Sequence, residues 1–158
     1  MSVQGLPPFQ RFLDEQREPV HRFLVAAAGA GEADDCFQET FLAALRAYPR
    51  LRPGSDARAW IMTIAHRKAI DAHRARARRA VPTAQSPEVA APGSAEPDDG
   101  ELWERVRALP PKQRGAIVLR YAGDLPHAQI ARALDCSEAA ARRSLHEGLK
   151  RLREEIPT

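Results

Sequence analysis

Aromatic side chains are scarce, with Phe, Trp and Tyr together making up 6% of the 158 residues. Any core must therefore be built mostly from Leu, Ala, Ile and Val. If the chain divides into two units, each core is small and marginal by itself. Cysteine is nearly absent too. Cys36 and Cys136 lie far apart, and no Cys-x-x-Cys or Cys/His spacing surrounds them. That argues against a zinc site, gives no positive support for a disulfide, and fits free thiols in a reducing cytoplasm. No run is long and apolar enough to cross a bilayer, so no membrane insertion is expected. No basic segment followed by an apolar stretch opens the chain, so no signal peptide is expected, and the location read from this is cytoplasmic. Alternating Val, Ile, Thr and aromatic runs are missing, which leaves helices as the building material. Residues 80–101 contain no Lys or Arg at all.

That last absence is part of a pattern. The net charge is only +3, but it is distributed in blocks. Residues 1–45 carry −4, residues 46–79 carry +8, residues 80–101 carry −5 and residues 102–158 carry +4. Two basic blocks separated by an acidic one point to two contacts with a polyanion. Arginine enrichment from a GC-rich genome is the plain alternative for any single Arg.

Helical spacing recurs along the chain. Phe9, Phe12, Leu13, Val20, Phe23 and Leu24 share one face of a first helical region that Pro19 interrupts and Gly29 and Gly31 end. Asp34 and Asp35 are placed at the start of a second helix, where carboxylates suit free amides and the dipole. Phe37, Phe41, Leu42, Leu45 and Tyr48 form its apolar stripe, and Pro49 stops it. Pro53 and Gly54 mark a loop, and Ser55 or Asp56 caps a third helix through Trp60, Ile61, Ile64, Ala65 and Ile70. That helix becomes the basic run Arg74 to Arg79 and closes at Pro82. Residues 82–100, rich in Pro and small residues with little to bury, read as a flexible linker and domain boundary. Beyond it, Leu102, Trp103, Val106 and Leu109 mark one helix. Ile117, Val118, Leu119 and Tyr121 mark another, ended near Gly123.

Residues 124–153 have the pattern of a helix-turn-helix. Pro126 suits a first helical turn. Ile130, Ala131 and Leu134 face inward, Asp135 and Cys136 make the turn, and Ser137 and Glu138 open the second helix. Ala141, Leu145, Leu149 and Leu152 point inward, leaving Arg142, Arg143, His146 and Lys150 outside. A protruding basic helix of this kind can enter a major groove, with Arg reading guanine edges and other cations holding phosphates. An ordinary helical hairpin with a solvated basic face is the alternative. Asp35 to Phe41, with Gln38 and Glu39 between two Phe positions, reads by spacing alone as a solvated helix face. The stretch from Arg58 to Asp71 joins an apolar face to a basic one, and a pocket there can hold an unstacked base beside a single strand.

Taken together, these segments resemble the extracytoplasmic-function group of sigma factors. Asp35 to Phe41 is similar to the family's D-x-x-Q-E-x-F signature, and Arg58 to Asp71 to its R-A-W-x-x-x-I-A-x-x-x-x-I-D segment. LPPKQRGAIVLRY, Leu109 to Tyr121, is similar to the opening of its last domain, and the helix-turn-helix follows in place. The resemblance covers nearly the whole chain in order. It implies an all-α fold of two small helical domains: residues 1–81 for core polymerase and the minus-ten element, the acidic linker 82–100 threading toward the polymerase active centre, and residues 101–158 for the minus-thirty-five element. It implies that Asp35, Gln38, Glu39 and Phe41 meet the clamp helices of core RNA polymerase. Arg58, Trp60, Thr63, His66, Arg67, Lys68 and Arg74 would bind and melt promoter DNA at minus ten. Ser137, Arg142, Arg143, His146 and Lys150 would act at minus thirty-five, while the last domain grips the flap. An anti-sigma protein is the further partner it implies.

The chain departs from the family at several places. Asp135 stands where Gly is usual, and Asp tolerates the left-handed conformation better than most residues. Ala140 and Ala141 replace a Thr-Val pair, Ser144 and Glu147 stand near positions that are usually basic, and Arg67 stands where Asn is common. An unusual or weakly bound minus-thirty-five element is expected from this. No nucleophile–base pair, metal cluster or glycine-rich phosphate loop stands out, so no catalytic residue, metal or cofactor is expected. The competing functions are a stand-alone helix-turn-helix regulator and a sigma-like decoy for an anti-sigma partner.

Overall fold

The computed structural model describes residues 7–79 and 97–155. Among them no strand occurs. The elements are α1 (Phe9–Ala28), α2 (Ala30–Ala47), a 3-10 turn (Tyr48–Arg50), α3 (Ala57–Arg79), α4 (Pro97–Arg107), α5 (Pro111–Ile117), a π turn (Val118–Ala122), α6 (His127–Leu134) and α7 (Glu138–Glu155). The all-α expectation holds.

Helices α1, α2 and α3 pack on one another through the residues that recur at helical spacing. Phe12, Val20, Phe23 and Leu24 of α1 are buried, as are Ala33, Cys36, Phe41 and Ala44 of α2 and Ile61, Met62, Ala65 and Ala69 of α3. Pro19 does not interrupt α1, which runs through it unbroken. The missing amide forfeits one helical hydrogen bond, and buried residues on either side hold the helix together. Gly29 ends α1 at φ 91°, a conformation that suits glycine, and α2 begins at once. Asp34 and Asp35 therefore lie beyond the first turn of α2 rather than at its start.

The apolar stripe read along α2 is split. Phe41 and Tyr48 are buried, but Leu42 and Leu45 are 52% and 51% exposed. Asp56 caps α3, accepting the Ala59 amide at 3.1 Å. The expected end of α3 at Pro82 and most of the linker fall outside the described residues. The last four linker positions are helical, since α4 starts at Pro97.

The second half packs α5 and α6 against α7. The interrupted α5 continues as a single π turn, which buries Val118 and Leu119 and turns Tyr121 outward, 56% exposed. Pro126 is the residue before α6 rather than in its first turn. Asp135 takes the left-handed conformation at φ 59°, ψ 51°, as the turn requires. Ser137 caps α7, its hydroxyl accepting the Ala140 amide at 3.0 Å. Ala141, Leu145 and Leu152 are buried and Leu149 is half-buried.

The two halves do not have separate cores. One cluster of buried residues runs from Phe12 through Ile61 and Val118 to Leu152. Each small core is completed by the other, which answers the shortage of bulky side chains.

Candidate functional site

Three surfaces carry the residues singled out in the sequence. The first is the outward side of α2. Asp35, Gln38 and Glu39 are exposed, and with Leu42 and Leu45 they recur at three- and four-residue steps along one stripe. Glu39 lies 4.0 Å from the Lys68 ammonium, a loose surface pair of small energetic weight. Phe41, grouped with these residues by motif, points the other way. It is 6% exposed and its ring lies 4.7 Å from that of Phe37. It holds the stripe from behind and presents no surface. The two leucines were missed because hydrophobic residues on a helix are read as inward; their offset from Phe41 and Ala44 is the signal that separates them.

The second surface lies beside the loop before α3. Trp60 is half-buried, its ring 6.1 Å from Phe12 and 6.2 Å from Tyr48. The Tyr48 hydroxyl donates to the Pro7 carbonyl, so this aromatic group is pinned at its base. Trp60, Thr63, Ile64 and Arg67 line a cavity of about 370 Å³ together with Asp56 and, from the second half, Gln129 and Arg132. The Thr63 hydroxyl donates back to the Ala59 carbonyl at 3.0 Å. Arg67 and Arg74 are exposed, while Arg58 and Lys68 are partly covered. Asp56 accepts from the Gln129 amide at 2.8 Å. That bond, with the Ala59 amide, holds its carboxyl below the usual range.

His66 is not on this surface. It is 6% exposed, sealed between α3 and α5. Burial first, then the nearby Arg114 and Arg67 charges, push its pKa down to about 4. It is neutral at ordinary pH and faces the second half, not solvent.

The third surface is the outside of α7. Arg142, Arg143, His146 and Lys150 are all exposed. Arg142 is paired with Glu138 at 3.0 Å, and the exposed Glu147 lies among these cations. Ser137 is engaged in its cap. Among the described residues no cluster of His, Cys, Asp and Glu is arranged to hold a metal ion, and no helix is long and apolar enough to cross a membrane.

Residues 13–79 match the family Sigma-70 region 2 and residues 99–152 match Sigma-70, region 4. The chain is 35% identical over 128 residues to RNA polymerase sigma factor CarQ of Myxococcus xanthus, covering 77% of this chain and 73% of that one. It is 36% identical over 158 residues to ECF RNA polymerase sigma factor SigD of Mycobacterium tuberculosis, covering 91% and 74%. The fold is similar to that of the sigma factor RpoE in its co-crystal structure with the anti-sigma factor NepR from Bartonella quintana. That match has a TM-score of 0.74 at 21% identity, over 92% of this chain and 94% of that one. It is similar also to CnrH in complex with the cytosolic domain of CnrY, with a TM-score of 0.71 at 20% identity, over 92% and 85%. The chain belongs to the extracytoplasmic-function sigma factors of the sigma-70 family. It directs transcription initiation by binding core RNA polymerase and promoter DNA.

Proposed function

We propose a division of that work among the three surfaces. The α2 stripe of Asp35, Gln38, Glu39, Leu42 and Leu45 seats the chain on the clamp helices of the polymerase. The cavity beside Trp60, with Arg58, Thr63, Arg67, Lys68 and Arg74, receives and holds melted minus-ten DNA. The outside of α7, with Arg142, Arg143, His146 and Lys150, meets the minus-thirty-five element. The observation that carries the first assignment is a pair of half-exposed leucines beside three polar residues on one helix face. Such a face is of the kind that a protein partner covers. Glu147 among the α7 cations, and the pairing of Arg142 with Glu138, support weak or unusual minus-thirty-five reading. One structural relative, the sigma factor RpoE, is in complex with an anti-sigma factor, and a partner of that kind is expected here.

The test is transcription from a genomic DNA library with core polymerase and the full chain. Discrete start sites are expected. Leu42→Ala with Leu45→Ala, and separately Gln38→Ala with Glu39→Ala, should weaken polymerase binding at least about tenfold, as central contacts do, with melting temperature nearly unchanged. Full polymerase affinity in both variants would remove the α2 assignment.

A further inference from the structure

We propose that Tyr48 is a positioning residue for the candidate minus-ten site: from behind the cavity it fixes both the Trp60 ring and the loop beside it, and so sets how readily the duplex is opened. This rests on the reading of that cavity as the holder of melted DNA.

Three segments meet at Tyr48. It is the first residue of the 3-10 turn that follows α2, and it is 9% exposed. Its ring takes Phe9 of α1 edge-on at 5.1 Å, and lies tilted against Phe12 at 5.2 Å and Trp60 of α3 at 6.2 Å. Phe12 completes the group, 6.1 Å from Trp60. These separations suit attractive ring pairs. The main chain of Tyr48 holds the loop as well. Its carbonyl accepts the Leu51 amide at 3.0 Å, and Leu51 lines the same cavity as Trp60, Thr63 and Arg67.

The hydroxyl is what ring packing does not require, since a phenylalanine would make the same ring contacts. The phenol donates to the Pro7 carbonyl, just ahead of α1. Burial first, then Glu15, hold its pKa above the ordinary phenol value, so it remains a donor. The bond ties the ring behind Trp60 to a segment 41 residues away in sequence, and keeps that ring from swinging aside. Phe12 is closed off at 2% exposed. Trp60 is half-buried, and of these four rings it is the one that lines the cavity. A mobile indole loses its freedom when it stacks on an unpaired base, whereas one already held has little left to lose.

The test uses the full chain assembled with core polymerase, on a promoter drawn from the start sites of the library transcription. Two templates are compared, one fully duplex and one mispaired across the minus-ten region and so already open. Appearance of the first transcript is timed on each. Tyr48→Phe keeps the ring and removes the hydroxyl. It should slow the duplex template at least about threefold, as loss of one hydrogen bond allows, and leave the mispaired template and polymerase affinity nearly unchanged. In a Trp103→Phe background, where Trp60 is the remaining tryptophan, acrylamide should quench the emission of the free Tyr48→Phe chain more readily than that of the chain with Tyr48. Unchanged quenching overturns the proposal. So does an equal loss on both templates, which marks a merely structural role. Trp60→Ala is run alongside. A slow Trp60→Ala with a normal Tyr48→Phe overturns the positioning role and leaves the cavity reading standing. A Trp60→Ala that opens the duplex at full speed removes the cavity reading, and the positioning role with it.

Discussion

Cys36 lies in surroundings that leave its thiol little freedom. It is buried, its thiol lies 3.7 Å from the Lys68 carbonyl, and burial, with Glu32, Glu39, Asp35 and Asp71 nearby, pushes its pKa up to about 11. A thiol in that state is a poor nucleophile. Cys136, in the turn between α6 and α7, is partly exposed. Iodoacetamide at pH 8 should therefore label Cys136 in the native chain and reach Cys36 only when the chain unfolds. Mass spectrometry of peptides at timed intervals checks this, and equal rates would contradict the burial. The turn itself was readable from one residue type. Asp135 in place of the customary Gly still permits φ near 59°, because a short polar side chain tolerates the left-handed region. His66 was not readable in this way. Its place in the R-A-W segment suggested a DNA contact, and only the approach of Gly115, from nearly fifty residues further on, makes it a core residue.

At the scale of elements, Pro19 inside α1 is the clearest conflict between local preference and tertiary packing. Proline in a helix interior costs about 3 kcal/mol relative to alanine. The helix persists because Phe12 on one side and Val20, Phe23 and Leu24 on the other are buried together. Pro19→Ala should raise stability by about 1–3 kcal/mol, measured by urea unfolding with an unchanged slope. A loss of stability would mean that the proline ring itself packs indispensably. Local preference alone puts a break at Pro19, because the tertiary packing that compensates for it is not local. The same local view put Leu42 and Leu45 inside. Periodicity gives the direction of a face only to within a residue or so, and the two exposed leucines lie one step from the buried row of Phe41 and Ala44. By contrast, the helix-turn-helix was legible almost residue by residue, since caps, turn and inward positions are all set by nearby sequence.

For the whole molecule, the shared core makes stability respond to pH through His66. The sign follows from its lowered pKa. The folded chain holds the ring neutral down to about 4, whereas the unfolded chain protonates it near 6.5. Between those values the unfolded state binds more protons, so stability is full above about 6.5 and falls as the solution is acidified. The loss from pH 7.5 to pH 5 should be about 2 kcal/mol. His73, lowered by burial first and then by Arg114, acts in the same direction. Urea midpoints at the two pH values measure the change, and His66→Gln should remove most of it. A flat profile in the unmodified chain would show that the two halves do not seal this ring in solution. None of this was foreseeable from composition. The sequence divides readily into two units at its acidic stretch, and nothing local reports that both units contribute to one interior.

That common interior also sets an order of events during synthesis. The α2 stripe and Trp60 belong to residues that leave the ribosome before Arg107, the π turn or Gln129 exist. At about 5–20 residues per second, the first half waits a few seconds for the groups that will close over it. In that interval its apolar flank is open to the surrounding solution. The newly made chain thus passes through a stage in which first-half residues that the second half later packs against, Phe23 and His66 among them, are bare.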